Sequence, residues 1–207
     1  MSITNSTTRT RLDKEDRRRQ LIGIGLRLLA TRPIHQITID EVAASAGISR
    51  SLLFHYFPTK QDYYMAVVRA ASRRLLRRIT PDQDSPASTQ IHTIVEDYVC
   101  YLERRREPYV ALFRSPGADD WVRSIHEETQ DALARLVLSA LPECQHSDKV
   151  ELVVRAWWSF AEELAITWTG RNPAARDELV DLLVETLHKV IDAAGGHSDG
   201  VRTAREP

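Results

Sequence analysis

The sequence predicts an all-α protein of about nine helices. Three observations carry that prediction. Apolar residues recur at three- and four-residue spacing along most of the chain, as in Leu21, Ile24 and Leu28, or Ile91, Ile94, Tyr98 and Leu102. No segment alternates apolar and polar residues for long enough to read as a strand. The breaks between periodic segments fall at turn-forming clusters: Pro33, then "TPDQDSPAST", "RSPGADD" and "LPECQHSD".

Composition sets further bounds. Hydrophobic residues make up 43% of the 207, enough to build a core. No run approaches the roughly 20 apolar residues that a membrane-spanning helix needs, and "MSITNSTTRTRLDKEDRRRQ" lacks the apolar centre of a signal peptide. Together these point to the cytoplasm. Cys100 and Cys144 read as reduced structural thiols, with a redox pair as the other reading. The net charge of −1 conceals two halves of opposite sign. Residues 1–80 hold 15 of the 28 basic residues and 6 of the 29 acidic ones, leaving 13 basic and 23 acidic residues behind them. A basic front and an acidic back imply two modules with different partners, and the front is the one suited to phosphate.

The elements follow in order. A first helix covers about 13–31, stopped by Pro33; Gly23 and Gly25 inside it call for close packing or strong tertiary support, because each costs about 1 kcal/mol of helix propensity. Thr38 and Glu41 form an S/T-x-x-E capping box for a second helix that turns Ile39, Val42, Ala43 and Ala46 inward. Gly47 supplies the positive φ of a sharp turn, Ser49 caps the short third helix "SRSLLFHYF", and Pro58 ends it. Thr59 and Asp62 open a long fourth helix to about 79. Ser85 and Pro86 suit the cap and first position of a fifth. "EPYVALF" reads as a short sixth, and a seventh carries Trp121, Ile125, Leu133, Leu136 and Val137. An eighth, about 148–169, is apolar nearly all round, and a ninth begins at Asn172–Pro173 and runs to about 192. The expected domains are a flexible arm over 1–12, a helix-turn-helix unit over 13–65, an effector and dimerisation unit over 66–194, and a flexible tail over 195–207.

Two short helices joined by a glycine turn are a helix-turn-helix pattern, whose second helix enters the major groove of DNA. With Leu53 and Phe57 packed down, Arg50, Ser51, Leu52, His55 and Tyr56 face outward. Arg50, near the helix start, can read guanine O6 and N7 with its fork. Thr38, Ser49, Tyr56 and Lys60 carry hydroxyl or ammonium groups suited to phosphate oxygens, while Ser51 and Leu52 can touch a thymine methyl or fill space against the groove wall.

The stretch "ITIDEVAASAGISRSLLFHYFPTKQDYYMAVV" closely resembles the DNA-binding segment of the tetracycline-repressor (TetR) family. The matching residues are Ala43, Ala46, Gly47, Ile48, Ser49, Leu53, Tyr56, Phe57, Thr59 and Lys60, and the similarity spans roughly residues 14–65. Phe54 departs from the family's usual phosphate-binding tyrosine, and Gly23 and Gly25 stand where alanine is common. The resemblance implies a homodimer on a roughly palindromic operator, joined through the eighth and ninth helices. It also implies a small-molecule effector, largely apolar or aromatic, whose binding releases the DNA. On the helices that line the family's pocket stand Tyr98, Phe113, Trp121, Ile125, His126, Trp157 and Phe160, with His126 and Glu162 as polar anchors. Trp158 projects about 100° from the Trp157 stripe and can belong to an interface. Arg104, Arg105 and Arg106 read as a solvated helix end, or else as contacts to an anionic effector; Arg73, Arg74, Arg77 and Arg78 read as a solvated face.

No enzyme is expected. The chain lacks H-E-x-x-H, G-x-S-x-G, a phosphate-cradling glycine loop and a metal-spaced cluster, so neither catalytic residue, metal nor cofactor is anticipated. Glu162 and Glu163 are adjacent and splay apart on a helix. The alternatives to an effector-released repressor are a regulator with a protein effector or none, and an activator.

Overall fold

The computed structural model describes residues 14–114, 119–142, 147–171 and 176–195. Among the described residues eight α-helices follow one another: α1 (Lys14–Leu29), α2 (Ile39–Ala46), α3 (Arg50–Tyr56), α4 (Lys60–Ile79), α5 (Ala87–Phe113), α6 (Asp120–Ala140), α7 (Asp148–Arg171) and α8 (Arg176–Gly195), with a 3-10 turn at Ile34–Gln36. The protein is all-α, and no strand occurs among the described residues. Cys144, the 172–173 helix start, the arm and all of the tail beyond Gly195 lie outside the described residues. Packing divides the chain into two units, the first ending at Val68 and the second beginning at Arg69, so the division falls inside α4.

The first unit is organised by its caps. Thr38 accepts a hydrogen bond from the Glu41 amide at 3.2 Å and starts α2. The return half of that capping box is diverted, because the Glu41 carboxylate pairs with Arg32. Gly47 ends α2 in the left-handed region, φ 65° and ψ 35°. There its amide bonds to the Ala44 carbonyl and the Ile48 amide to the Ala43 carbonyl, both at 3.0 Å, the two bonds of a Schellman turn. Ser49 accepts from the Leu52 amide at 3.2 Å and starts α3. Thr59 and Asp62 complete a reciprocal box at the start of α4, each side chain accepting from the other's amide at 3.0 Å. Leu21, Ile37, Val42, Leu53, Phe57, Tyr63 and Val67 form the interior. The Tyr63 hydroxyl donates to the Leu21 carbonyl at 3.0 Å, and Tyr64 donates to the carbonyl of Ile37.

In the second unit α5 packs against α6, α7 and α8, and α7 against both α6 and α8. The expected fifth and sixth helices adjoin end to end within α5, separated by a kink. Arg105 leaves helical geometry (φ −133°, ψ 23°) three residues before Pro108, whose ring and missing N–H forbid an unbroken ladder. The two halves nevertheless abut without a loop. Pro86 precedes α5 as its cap residue rather than its first helical residue, and the Gln90 side chain closes that corner, its Nε2 donating to the carbonyls of Ser85 (2.7 Å) and Gln83 (3.2 Å). The arginine run beside the kink is engaged: Arg106 donates to the Ile166 carbonyl at 2.9 Å and Arg105 lies 5.2 Å over the Tyr101 ring. Trp158 is interior, meeting the Tyr98 ring edge-on at 5.0 Å.

The two glycines of α1 differ. A Cβ on Gly25 would meet the Tyr63 hydroxyl at 2.5 Å and crowd Val67, whereas one on Gly23 would meet only the Arg27 guanidinium, at 4.0 Å. Gly25→Ala should therefore destabilise the first unit by about 1–3 kcal/mol through overpacking against α4. Gly23→Ala should stabilise it by up to about 1 kcal/mol, the helix-propensity gain. Urea denaturation followed by circular dichroism checks both, and equal effects would contradict the packing described.

Candidate functional site

Two constellations stand out, one in each unit. On the first, α3 buries Leu53, with Phe57 at its end, and turns Arg50, Ser51, Leu52 and His55 to solvent. Arg18 holds the C-terminal end of α3: its guanidinium donates to the Tyr56 carbonyl at 3.0 Å and lies 4.4 Å over the Phe57 ring. Tyr56 is half-buried, and its ring meets that of His55 edge-on at 5.5 Å. The Lys60 ammonium, exposed at the start of α4, lies 5.1 Å over the Tyr64 ring. Thr38 and Ser49 act as cap acceptors, which leaves each hydroxyl its own hydrogen to donate. Arg50 is engaged by the Asp40 carboxylate at 3.2 Å and lies 5.5 Å over the Phe54 ring. The exposed groups of α3, polar apart from Leu52, thus form a face fixed from behind by an apolar one, a geometry able to offer side chains to base edges.

The second constellation surrounds a buried carboxylate. Glu162 of α7 is 1% exposed. Its Oε1 accepts from the Tyr109 hydroxyl at 2.5 Å and meets His126 Nε2 at 2.9 Å. Its Oε2 accepts from Gln130 Nε2 at 2.6 Å and pairs with Arg114 at 3.2 Å. Arg114 also reaches the exposed Glu163, at 3.4 Å. Burial alone would raise the Glu162 pKa. The hydrogen bond and charge of His126, the Tyr109 hydroxyl and the Arg114 charge outweigh it and hold the carboxyl below its ordinary value of 4.5. Tyr109 is pushed up, first by burial and then by its Tyr98 and Glu162 neighbours, and stays a neutral donor. Tyr98 is raised likewise by burial and the Glu162 charge. At this centre the Tyr98 hydroxyl and Gln130 Oε1 are buried without a well-formed hydrogen bond.

Of the residues anticipated for an effector site, the structure brings Tyr98, Phe113, His126 and Glu162 to this centre. The Phe113 ring lies 4.8 Å from that of Tyr109 and 5.0 Å from that of His126, tilted to both. Ile125 is buried beside His126 in sequence. Trp157 is buried elsewhere, donating to the Thr186 hydroxyl of α8 at 3.2 Å. Trp121 bonds to the exposed Asp119 at 3.0 Å, and Phe160 is 46% exposed, so neither joins the cluster. Sequence reasoning missed Tyr109, Gln130 and Arg114. One signal was available for two of them: Tyr109 lies one turn before Phe113, and Gln130 one turn after His126. Among the described residues no group of three or more His, Cys, Asp or Glu side chains is arranged to hold a metal ion, and no helix is long and apolar enough to cross a membrane.

Because the folded pKa of Glu162 is depressed, its ionisation stabilises the fold fully above pH 4.5, and that contribution fades as pH falls through the folded value. Glu162→Gln should cost about 3 kcal/mol near neutrality by leaving buried donors poorly matched. Denaturation at pH 7 and at pH 4 should show the gap to wild type narrowing in acid. A constant gap would mean that the charge of Glu162 contributes nothing.

Residues 21–67 match the model of the tetR family of bacterial regulatory proteins. A TetR-family transcriptional regulator from Streptomyces coelicolor is 30% identical, with 91% of this chain overlaid on 86% of that one at a TM-score of 0.75. The transcriptional activator FasR of Mycolicibacterium smegmatis is 26% identical over 139 residues, and the match spans 61% of each chain. Thermus thermophilus FadR, a TetR-family repressor solved with lauroyl-CoA, shares the fold at 19% identity and a TM-score of 0.51, over 92% of this chain and 98% of that one. A family match confined to the helix-turn-helix unit, joined to a 30% identical relative overlaid on most of both chains, leaves one assignment: the chain belongs to the TetR family of DNA-binding transcriptional regulators.

Proposed function

We propose that this regulator is a cytoplasmic homodimer that represses transcription from a palindromic operator and is released when a small, largely apolar or aromatic effector binds its second unit. The observation that carries the DNA half is the short, capped α3 with Arg50, Ser51, Leu52 and His55 exposed above buried Leu53 and Phe57. In this reading Arg50 reads a base pair, while Thr38, Ser49, Tyr56 and Lys60 set register on phosphates.

Exposed apolar groups on α7 and α8 support the dimer. Leu152, Phe160 and Leu182 are 67%, 46% and 37% exposed, and Ala156 continues the stripe from Leu152 to Phe160 at one-turn spacing. A second copy of the same two helices would cover them by two-fold symmetry. The aromatic surroundings of Glu162 support an effector centre of Tyr98, Tyr109, Phe113, His126 and Gln130. The lauroyl-CoA complex of the Thermus fold relative is consistent with an apolar occupant there. Because α4 contributes residues to both units, a ligand that favours one placement of this helix would alter the spacing of the two recognition helices and weaken operator binding by its differential affinity for the two states. Activation is the second reading, favoured by the likeness to the activator FasR.

Fluorescence anisotropy with duplex tiles from around the chain's own gene, against a scrambled duplex at physiological salt, tests the proposal. Tight binding of two subunits to one tile is the expected outcome; uniform, salt-sensitive binding to every tile would contradict it. On the specific tile, Arg50→Ala should reduce sequence discrimination by about 1–3 kcal/mol. Lys60→Ala should weaken binding to all DNA and lower the salt slope by about one.

A further inference from the structure

Arg50 carries a full positive charge at the N-terminus of α3, the end where the helix dipole disfavours cations. Asp40, in the first turn of α2, offsets it. Arg50 Nη1 meets both carboxylate oxygens, at 3.3 and 3.2 Å, while the guanidinium lies 5.5 Å over the Phe54 ring. The pair is 60% and 67% exposed at its two side chains, so water and salt screen it and it adds little to stability. Its geometry matters more than its strength. One terminal nitrogen is engaged, which leaves Nε and Nη2 as an adjacent pair of donors, the arrangement that bonds guanine O6 and N7 together.

We propose that Asp40 is a positioning residue for DNA readout: its carboxylate aims the Arg50 fork at a base pair and, by its own charge, keeps phosphate from capturing that fork. The inference rests on the DNA-reading role given to α3 above. A long flexible arginine without such a partner would satisfy itself equally well on the nearest phosphate, which carries no sequence information. With Asp40 in place the phosphate route is penalised by like charge, and Phe54 restricts the remaining motion. Specificity then comes partly from repulsion of the wrong contact.

The test uses the full-length chain and a set of duplexes that each change one base pair of the specific tile. Arg50→Ala first identifies the base pair that Arg50 reads. At that base pair Asp40→Asn should lower discrimination by about three- to tenfold, a fraction of what a bidentate contact supplies. It should also tighten binding to the scrambled duplex, because a negative charge leaves a face that meets phosphate. In an Arg50→Ala background the same change should no longer affect discrimination, a result that a merely structural role for Asp40 would not produce. Asp40→Ser, run alongside, separates loss of the carboxylate from any effect peculiar to asparagine. Unchanged discrimination in both Asp40 variants, from a wild type that discriminates, overturns this inference alone. A wild type that binds every duplex alike overturns the operator reading and this inference with it.

Discussion

A helix of seven residues cannot persist by itself in water, because the cost of nucleation is spread over too few hydrogen bonds. The proposed function of the first unit hangs on that constraint, since Arg50–Tyr56 is the element proposed to meet DNA. Its stability is borrowed. Ser49 satisfies a donor at one end, Arg18 grips a carbonyl and an aromatic ring at the other, and Leu53 and Phe57 supply the apolar footing. The Schellman turn at Gly47 sets the direction from which α3 leaves α2. Tyr63 and Val67 press α4 close to α1 at Gly25, so the platform beneath α3 is itself tightly fitted. A helix held by its surroundings in this way can leave its own outward residues free for a partner.

The second unit meets a different requirement. Its helices are long enough to be stable on apolar packing, and Ile94, Leu102, Val137, Val154 and Leu183 provide it. Into that interior the chain places an ionised carboxylate, which apolar packing would not favour. Glu162 is tolerated because four side chains, two from α5 and its C-terminal cap and two from α6, converge on its two oxygens, and the resulting pKa lies on the ionised side despite burial. A buried polar centre of this kind contributes more to uniqueness of packing and to recognition than to net stability.

Local chemistry was legible in the sequence wherever a rule of three or four residues decides it. The caps at Thr38, Ser49 and Thr59, the positive φ of Gly47 and the burial of Leu53 and Phe57 all follow from nearest neighbours along the chain. What escaped depends on distant partners. Glu41 matches a capping box, yet a residue nine positions earlier, Arg32, takes its carboxylate. Pro108 reads as a helix boundary, yet the two halves of α5 abut with only Arg105 out of helical geometry. On α7 apolar residues circle the helix, so periodicity could not say that Trp158 faces the interior while Phe160 faces out. Around Glu162 the aromatic members were recognisable as a type, whereas Arg114 becomes visible only when α5 and α7 are brought together.

The cage around Glu162 also bears on how the second unit comes apart. Its members sit on α5, α6 and α7 and at the C-terminal cap of α5, separated by up to 53 positions between Tyr109 and Glu162. An intermediate that keeps α7 docked while α5 or α6 peels away would strand a charge in a half-dry interior, a state costlier than either extreme. Partial opening is thereby discouraged, and the helices gain or lose order together. The polar centre acts as a cooperativity lock, narrowing the population of half-open forms in which apolar helix faces could meet other chains and aggregate.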